Sequence, residues 1–277
     1  MARPSFRRLV GRRSSTVGGT DPVAAPLPEA GDPPATSISD VGRATVVGQR
    51  AENQDRAAHG PGLLVVCDGV GGHAGGARAA ALAADAAAAV LAAGAGPSLV
   101  RDAVRAAHRA VRDGQVDPTV HNMAATVTAA WATDGSGARW VVGHVGDSPA
   151  WTVADGRAMQ VTTDHTVAGE LLAAGTIEPA AAAHHPGRRF VTRVAGAREG
   201  ADPDVLEVEL APGAALVVAT DGVSDVLGAE EVAAAVEAAP NAAGAAAALV
   251  EAALAAGTAD NATAVVVRRG LDAGPGR

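Results

Sequence analysis

Hydrophobic positions along the chain form two kinds of run. Continuous apolar runs, such as LLVVC before Asp68 and LVVA two residues before Asp221, are typical of strands covered on both faces. Alanine-rich stretches with larger apolar residues at helical spacing predict helices near 75–93, 98–113, 229–238 and 242–256. The other apolar runs predict strands near 43–48, 63–67, 125–132, 139–145, 150–153, 158–162, 205–210, 214–220 and 262–268. Strand clusters with helices between them predict an α+β layered domain.

Segments that lack this periodicity set the boundaries of that domain. The first 38 residues contain five arginines among Pro, Gly and Ala and almost no large apolar residue, so burial cannot offset the entropy of ordering them. They are predicted to form a disordered tail, with the folded domain at 39–269 and a flexible end at 270–277. A loop at 50–55 and a mixed segment at 166–200 with a short helix complete the prediction.

Composition narrows the classes of function. The chain has 277 residues, 48% of them hydrophobic, and a net charge of −8. Residues after the tail carry 17 basic against 27 acidic side chains, a balance that argues against nucleic-acid binding. Apolar stretches of membrane-spanning length occur only as alanine-rich segments with helical spacing, so no membrane span is expected. Cys67 is the single cysteine and suits a reducing cytoplasm.

Acidic residues at the ends of predicted strands are the main chemical signal. Asp-Gly pairs normally mark hairpin turns, but those at Asp68 and Asp221 close continuous apolar runs instead. Further acids stand at element ends or in nearby loops: Asp55, Asp147, Asp225 and Asp260, the last followed by Asn261. The chain has no lysine to neutralise them, so a hard cation would relieve their repulsion. An all-oxygen ligand set suits Mg²⁺ or Mn²⁺, whereas each acid taken alone also fits a helix cap or a turn.

Two other enzyme classes share part of this pattern. Cys67 opens a glycine-rich loop as in cysteine phosphatases, but those enzymes need an arginine six residues later, where this chain has His73. The spacing Gly69-x-Gly71-x-x-Ala74 is similar to a dinucleotide-binding loop. Asp68 would repel the pyrophosphate, and no acid for a ribose follows about 20 residues later. Neither class fits the chain.

Seven short motifs occur in order over residues 40–268. They are Arg50-x-x-Asn53-Gln54-Asp55, Asp68-Gly69-Val70-Gly71-Gly72-His73, Gly146-Asp147-Ser148, Thr163-Asp164-His165, His185-Pro186 with Arg189 and Arg193, Asp221-Gly222-Val223-Ser224-Asp225, and Asp260-Asn261-x-Thr263. Together they resemble the bacterial PP2C-like, or PPM, family of metal-dependent protein phosphatases. Any one of them is a weak signal. Their shared order makes the resemblance specific.

The resemblance implies an αββα sandwich of two antiparallel sheets flanked by helices, with metal ions at one end. It implies that Asp68 bridges two ions, that Asp55 and the Gly69 carbonyl complete one ligand shell, and that Asp221 and Asp260 complete the other. Asp147 and Asp225 match a third, weaker site, and Arg50 matches the residue that binds the substrate phosphate. The implied reaction is hydrolysis of phosphoserine or phosphothreonine by a water held between the two ions.

The same resemblance implies phosphorylated proteins and a cognate Ser/Thr kinase as partners. His73 and Asn261 are predicted to support the site from behind the ligands, and the general acid stays open between a metal-bound water, His184 and His185. The chain departs from the family pattern at Pro149, where Arg is usual, at Gln54, where Glu is common, and at 123–126. A catalytically silent PP2C-like binding module is the alternative to an enzyme.

Overall fold

A computed structural model describes residues 38, 40–70, 75–116, 120–198 and 202–271. The predicted tail, apart from Ile38, lies outside these residues, as do His73 and the chain beyond Leu271. The strands are β1 (Val41–Val46), β2 (Asp55–Gly60), β3 (Leu63–Val70), β4 (Ala124–Ala125), β5 (Val127–Ala132), β6 (Arg139–Val145), β7 (Ala150–Ala154), β8 (Arg157–Gln160), β9 (Asp204–Glu209), β10 (Ala215–Ala219) and β11 (Ala262–Arg268). The helices are α1 (Gly76–Ala93), α2 (Leu99–Gly114), α3 (Val167–Ala173), α4 (Pro179–Ala182), α5 (Asp221–Ser224), α6 (Ala229–Ala238) and α7 (Ala242–Ala255), with a 3₁₀ turn at Pro186–Arg189.

The strands form two antiparallel sheets that stack face to face. One sheet has the order β2-β3-β5-β6-β9, and the other has the order β1-β11-β10-β7-β8. Helices α1 and α2 cover the outer face of the first sheet, and α6 and α7 cover that of the second. The predicted α+β sandwich of two antiparallel sheets flanked by helices is therefore confirmed.

Alternating side chains along each central strand explain the continuous apolar runs. In β3, Leu64 and Val66 face the other sheet, while Val65 and Cys67 face α1 and α2. In β10, Leu216 and Val218 likewise point between the sheets, and Val217 points to the α6 and α7 layer. A strand with an apolar layer on both faces has no solvent-facing position that a polar residue would fill.

The sequence-based prediction missed one strand and simplified another region. Strand β2, with the sequence DRAAHG, has little β propensity, and it forms because it pairs along its whole length with β3. The mixed segment contains α3, α4 and the 3₁₀ turn where one short helix was expected. Residues 166–191, which hold these three elements, are called the flap below.

Helix α1 has 18 residues and a mean hydropathy of 1.4, so it is long and apolar enough to cross a membrane by length and composition. Eight of its residues are buried, most of them alanines packed against α2 and β3. A core helix of a layered domain has the same composition, because it faces apolar groups on two sides. The packing of α1 thus accounts for its composition without a membrane.

Replacing Leu216 by alanine should lower the free energy of unfolding by about 2–5 kcal/mol, since Leu216 is fully buried between the sheets. Urea denaturation monitored by circular dichroism would measure the change. Leu254→Ala is the matched control, because Leu254 is 42% exposed on α7 and its loss should cost far less. Equal effects of the two substitutions would contradict this account of the core.

Candidate metal centre

Antiparallel pairing brings the ends of several strands to one end of the sandwich. Asp55 opens β2 and lies opposite Asp68 near the end of β3. Asp221 follows β10, and Asp260 precedes β11, which pairs with β10. Asp147 follows β6 by two residues. Residues far apart in the sequence therefore meet at one site, as the strand-end pattern predicted.

These residues surround a cleft of about 490 Å³. Of the residues predicted to form the site, seven line it: Arg50, Asp68, Gly69, Asp147, Asp221, Asp260 and Asn261. Asp55 lies beneath the cleft and is only 4% exposed. Asp225 stands beside the cleft and is held by the flap.

Two glycines permit the close approach of the acidic loops. A Cβ on Gly222 would lie 1.9 Å from the Asn261 carbonyl oxygen, so the loop after β10 can touch the loop before β11 only without a side chain there. A Cβ on Gly69 would lie 2.3 Å from the Gly76 carbonyl oxygen, at the start of α1. Each Asp-Gly pair therefore places its carboxylate next to backbone that only glycine could approach.

Burial and mutual repulsion raise the pKa values of the carboxyl groups. Burial raises the pKa of Asp68 well above its ordinary value, and the nearby carboxylate of Asp221 raises it further. The pKa of Asp221 is also raised by burial first and then by Asp147. Burial raises the pKa of both Asp55 and Asp147 to about 6. The site thus concentrates negative charge that the protein itself does not fully neutralise.

Threonine hydroxyls hold Asp55 across the gap between the sheets. The Thr220 hydroxyl donates to Asp55 Oδ2 at 2.9 Å and accepts from the Thr263 backbone N–H at 3.0 Å. Thr220 follows β10 in one sheet, whereas Asp55 belongs to β2 in the other. The position of Asp55 relative to the other acids is therefore fixed by contacts between the sheets.

Asn261 holds the loop that carries Arg50. Its Nδ2 donates to the Val47 and Glu52 carbonyl oxygens at 2.8 and 3.0 Å. Its Oδ1 accepts from the Gln54 backbone N–H at 2.8 Å. The three bonds place this loop against Asp260, and the Arg50 guanidinium lies 2.6 Å from Asp260 Oδ2. Arg50 is 53% exposed at the mouth of the cleft, so it can also reach a ligand.

A second group of acids extends the site towards the flap. Asp225 pairs with Arg188 at 2.5 Å and with Arg189 at 2.9 Å. Asp164, to which the sequence analysis gave no role, belongs to the same group. Burial, followed by the nearby Asp147 carboxylate, raises its pKa to about 7. Asp164 follows β8, which is mostly exposed, so it does not end an apolar run as Asp68 and Asp221 do. Only the fold shows that it lies near Asp147.

A buried histidine pair supports the loop that carries Asp147. His165 Nδ1 accepts from the Gly146 backbone N–H at 3.1 Å, and the His144 ring lies 4.8 Å from the His165 ring. The Thr128 hydroxyl donates its proton to the Ser148 carbonyl oxygen at 2.5 Å. The same hydroxyl also contacts His144 Nδ1 and can only accept there, so His144 carries its proton on Nδ1. Burial lowers the pKa of His144 to about 3, which keeps the ring neutral.

The two histidines proposed as general acids lie away from the described cleft lining. His184 and His185 belong to the flap, and neither is among the described residues that line the cleft. His185 Nδ1 instead accepts from the Gly187 backbone N–H and caps the 3₁₀ turn. In this arrangement His185 has a structural role.

The donor set fits hard divalent ions. Its side-chain donors are carboxylate oxygens, and the carbonyl of Gly69 lies at the same cleft. Among the described residues, no three Asp, Glu, His or Cys side chains converge closely enough to enclose an ion by themselves. Mg²⁺ and Mn²⁺ sites commonly keep several waters, so partial enclosure suits them. Asp68, Asp221 and Asp260, with Asp55 behind them, are the carboxylates best placed to hold such ions.

The chain is thus an α+β protein whose two stacked antiparallel sheets carry an acidic cleft at one end. The chain belongs to the protein phosphatase 2C family, whose model matches residues 45–256.

Similar proteins agree with this assignment. The serine/threonine protein phosphatase PstP of Mycobacterium tuberculosis is 34% identical over 221 residues, which are 78% of this chain and 42% of PstP. The chain thus spans less than half the length of that relative. The solved PPM Ser-Thr phosphatase MsPP of Mycobacterium smegmatis, in complex with cacodylate, is 33% identical with a TM-score of 0.76, covering 85% of this chain and all of MsPP. The catalytic domain of PstP, solved with two manganese ions, is 30% identical with a TM-score of 0.72, covering 82% and 96% of the two chains.

Replacing Asp221 by asparagine should stabilise the protein in excess EDTA, and the gain should grow as the pH rises above the ordinary pKa of an aspartate, about 3.9. The raised pKa means that the folded state binds more protons than the unfolded state in this range, so ionisation on raising the pH destabilises the fold. In excess Mn²⁺ the order should reverse, because the wild type would hold the ion better. Thermal unfolding measures both effects. A gain that is the same at all pH values and in both solutions would contradict carboxylate repulsion.

Proposed function

We propose that this chain is a protein serine/threonine phosphatase that depends on Mg²⁺ or Mn²⁺ and acts on phosphorylated proteins. The proposal rests on one observation above all: four cleft-lining aspartates, with Asp55 behind them, share one end of the sandwich with the exposed Arg50. This arrangement suits a dianionic phosphate ester in the presence of divalent ions. Family membership and the similarity to PstP and MsPP support it.

The protein's residues would divide the work between holding ions and orienting substrate. Divalent ions bound here would supply the positive charge and the activated water that hydrolysis of a phosphate monoester requires. Asp68 lies opposite Asp55 in the pairing of β2 with β3, and the Asp221 carboxylate is close enough to raise its pKa, so Asp68 would be shared by two ions. Asp221 and Asp260 would hold one of them, and the Gly69 carbonyl would contribute to the other.

Arg50 would bind the phosphate. Its planar guanidinium can meet two phosphate oxygens, and Asn261 fixes the loop from which it extends. Its present partner, Asp260, is also a candidate metal ligand, so an ion on Asp260 would compete with that pair. The reaction forms a bond between phosphorus and water oxygen, breaks the ester P–O bond and returns a proton to the serine or threonine oxygen.

A third ion would use Asp147 and Asp225, with Asp164 beside them. Asp225 is already paired with Arg188 and Arg189, which an ion would have to displace. A third ion would therefore bind more weakly than the first two.

Cognate partners would be a Ser/Thr kinase and its substrates, and we expect these to meet the phosphatase in the cytoplasm.

The purified protein should hydrolyse p-nitrophenyl phosphate and phosphothreonine peptides in Mn²⁺ or Mg²⁺ and lose this activity in excess EDTA. Asp68→Asn and Asp221→Asn should each lower kcat by about 100-fold or more, since metal charge stabilises the transition state by several kcal/mol. Asp134→Asn is the control, because Asp134 lies in the β5–β6 turn and bonds its own loop. Activity that survives chelation would refute the metal mechanism. Phosphopeptide binding without turnover would favour a silent module.

Replacing Arg50 by alanine should lower kcat/KM by about 10- to 100-fold, since a hydrogen bond to a charged group is worth about 1.5–3 kcal/mol. Steady-state kinetics on p-nitrophenyl phosphate would measure the loss. Arg109→Ala, on the exposed side of α2, removes the same charge far from the cleft and should have little effect. Similar losses in both variants would show that net charge, not phosphate contact, is responsible.

A further inference from the structure

Arg189 is a second arginine at the cleft that the reaction as described does not use. It ends the 3₁₀ turn of the flap and lines the same cleft as Arg50. Its side chain is 70% exposed, more than that of Arg50. Arg50 extends from the loop between β1 and β2, so the two guanidinium groups reach the cleft from separate parts of the chain.

The pairing of Arg189 leaves much of its guanidinium group available. Its Nε lies 2.9 Å from Asp225 Oδ2, while Arg188 contacts the other oxygen of Asp225. The two arginines thus share one carboxylate, and Arg189 contacts it through Nε. A guanidinium has five N–H donors, and Arg189 forms no other ion pair among the described residues. The rest of its planar fork can therefore bind an anion.

The backbone around Arg189 is held in place. The Phe190 N–H donates to the Gly187 carbonyl oxygen, and the Phe190 carbonyl oxygen accepts from the Val167 N–H at 3.0 Å. Val191 then pairs with Thr166, and it also lines the cleft. Arg189 thus extends from an anchored segment, which lowers the entropy cost of using it for binding.

We propose that Arg189 recognises an acidic side chain next to the phosphorylated residue, so that the enzyme prefers phosphopeptides with a flanking carboxylate. This preference presupposes the proposed phosphatase function. A protein of net charge −8 repels acidic peptides in general, and Glu52 lines the cleft as well. Arg189 offers a positive group beside the phosphate position, where an acidic neighbour can be accommodated.

Three phosphothreonine peptides test the inference: one with Glu two residues before the phosphothreonine, one with Glu two residues after it, and one with Gln at both places. The wild type should favour one of the Glu peptides over the Gln peptide by about two- to fivefold in kcat/KM, the range expected for a solvent-exposed ion pair. The preference should lie mainly in KM and weaken at high salt. The favoured peptide would also show on which side of the phosphate Arg189 acts.

Arg189→Ala should abolish the preference, and Arg189→Glu should reverse it in favour of the Gln peptide. Arg157→Ala is the matched control, because Arg157 is an exposed arginine in the β7–β8 turn at the other end of the sheet, and it should keep the preference. Fluorescence anisotropy with uncleavable phosphonate versions of the peptides, in Mn²⁺, measures the same preference as affinity and does not need turnover.

Three outcomes separate the possibilities. Equal rates on all three peptides in the wild type, or an undiminished preference in Arg189→Ala, would overturn the role of Arg189 while leaving the phosphatase function intact. If Arg189→Ala changes the Mn²⁺ dependence of the activity but not the peptide preference, the role in recognition would also be overturned. Arg189 would then act only through its ion pair with Asp225. Failure of the wild type to hydrolyse any of the peptides would instead count against the proposed function.

Discussion

Repulsion among buried carboxylates is the constraint on which this structure depends. Asp55, Asp68, Asp147 and Asp221 meet the more exposed Asp260 at one end of the sandwich, and burial of the first four strengthens the charge interactions among them. A protein selected for stability alone would not place them together. The apolar layers on both sides of β3 and β10 supply the free energy that holds the acids in place. The same arrangement makes the site a strong attractor for divalent cations.

Most of the supporting contacts join segments that are distant in sequence. Thr220 connects Asp55 to the other sheet, and Asn261 connects the loop before β11 to the loop that carries Arg50. The buried pair of His144 and His165 supports the loop that carries Asp147, since His165 Nδ1 accepts from the Gly146 backbone N–H. Each contact is neutral, so it orients an acid or its loop without cancelling the charge that an ion would need.

At the edges of this acidic region, arginine side chains pair with carboxylates that metal ions could otherwise bind. Arg50 pairs with Asp260, while Arg188 and Arg189 pair with Asp225. Guanidinium groups on exposed side chains can leave such pairs at a cost of about 1 kcal/mol or less, because solvent screens them. The pairs therefore limit repulsion in the free protein and still leave the arginines able to bind an anionic substrate. The flap contributes two of the three, so the proposed recognition of substrate would involve this segment of short helices and turns.

Local sequence determined the layered fold and most of the candidate metal ligands, because continuous apolar runs and the acids that end them depend on neighbours within a few residues. Strand β2 was not predictable in this way, since it forms only by pairing with β3. The position of Asp164, the capping role of His185 and the bonds of Asn261 were equally hidden, because each depends on a partner brought close by the fold. Hydrophobic patterns in the sequence predict which faces of a helix or strand are buried. Only tertiary structure decides which distant side chains share a site, because the strand pairing and sheet stacking that set those distances are not local.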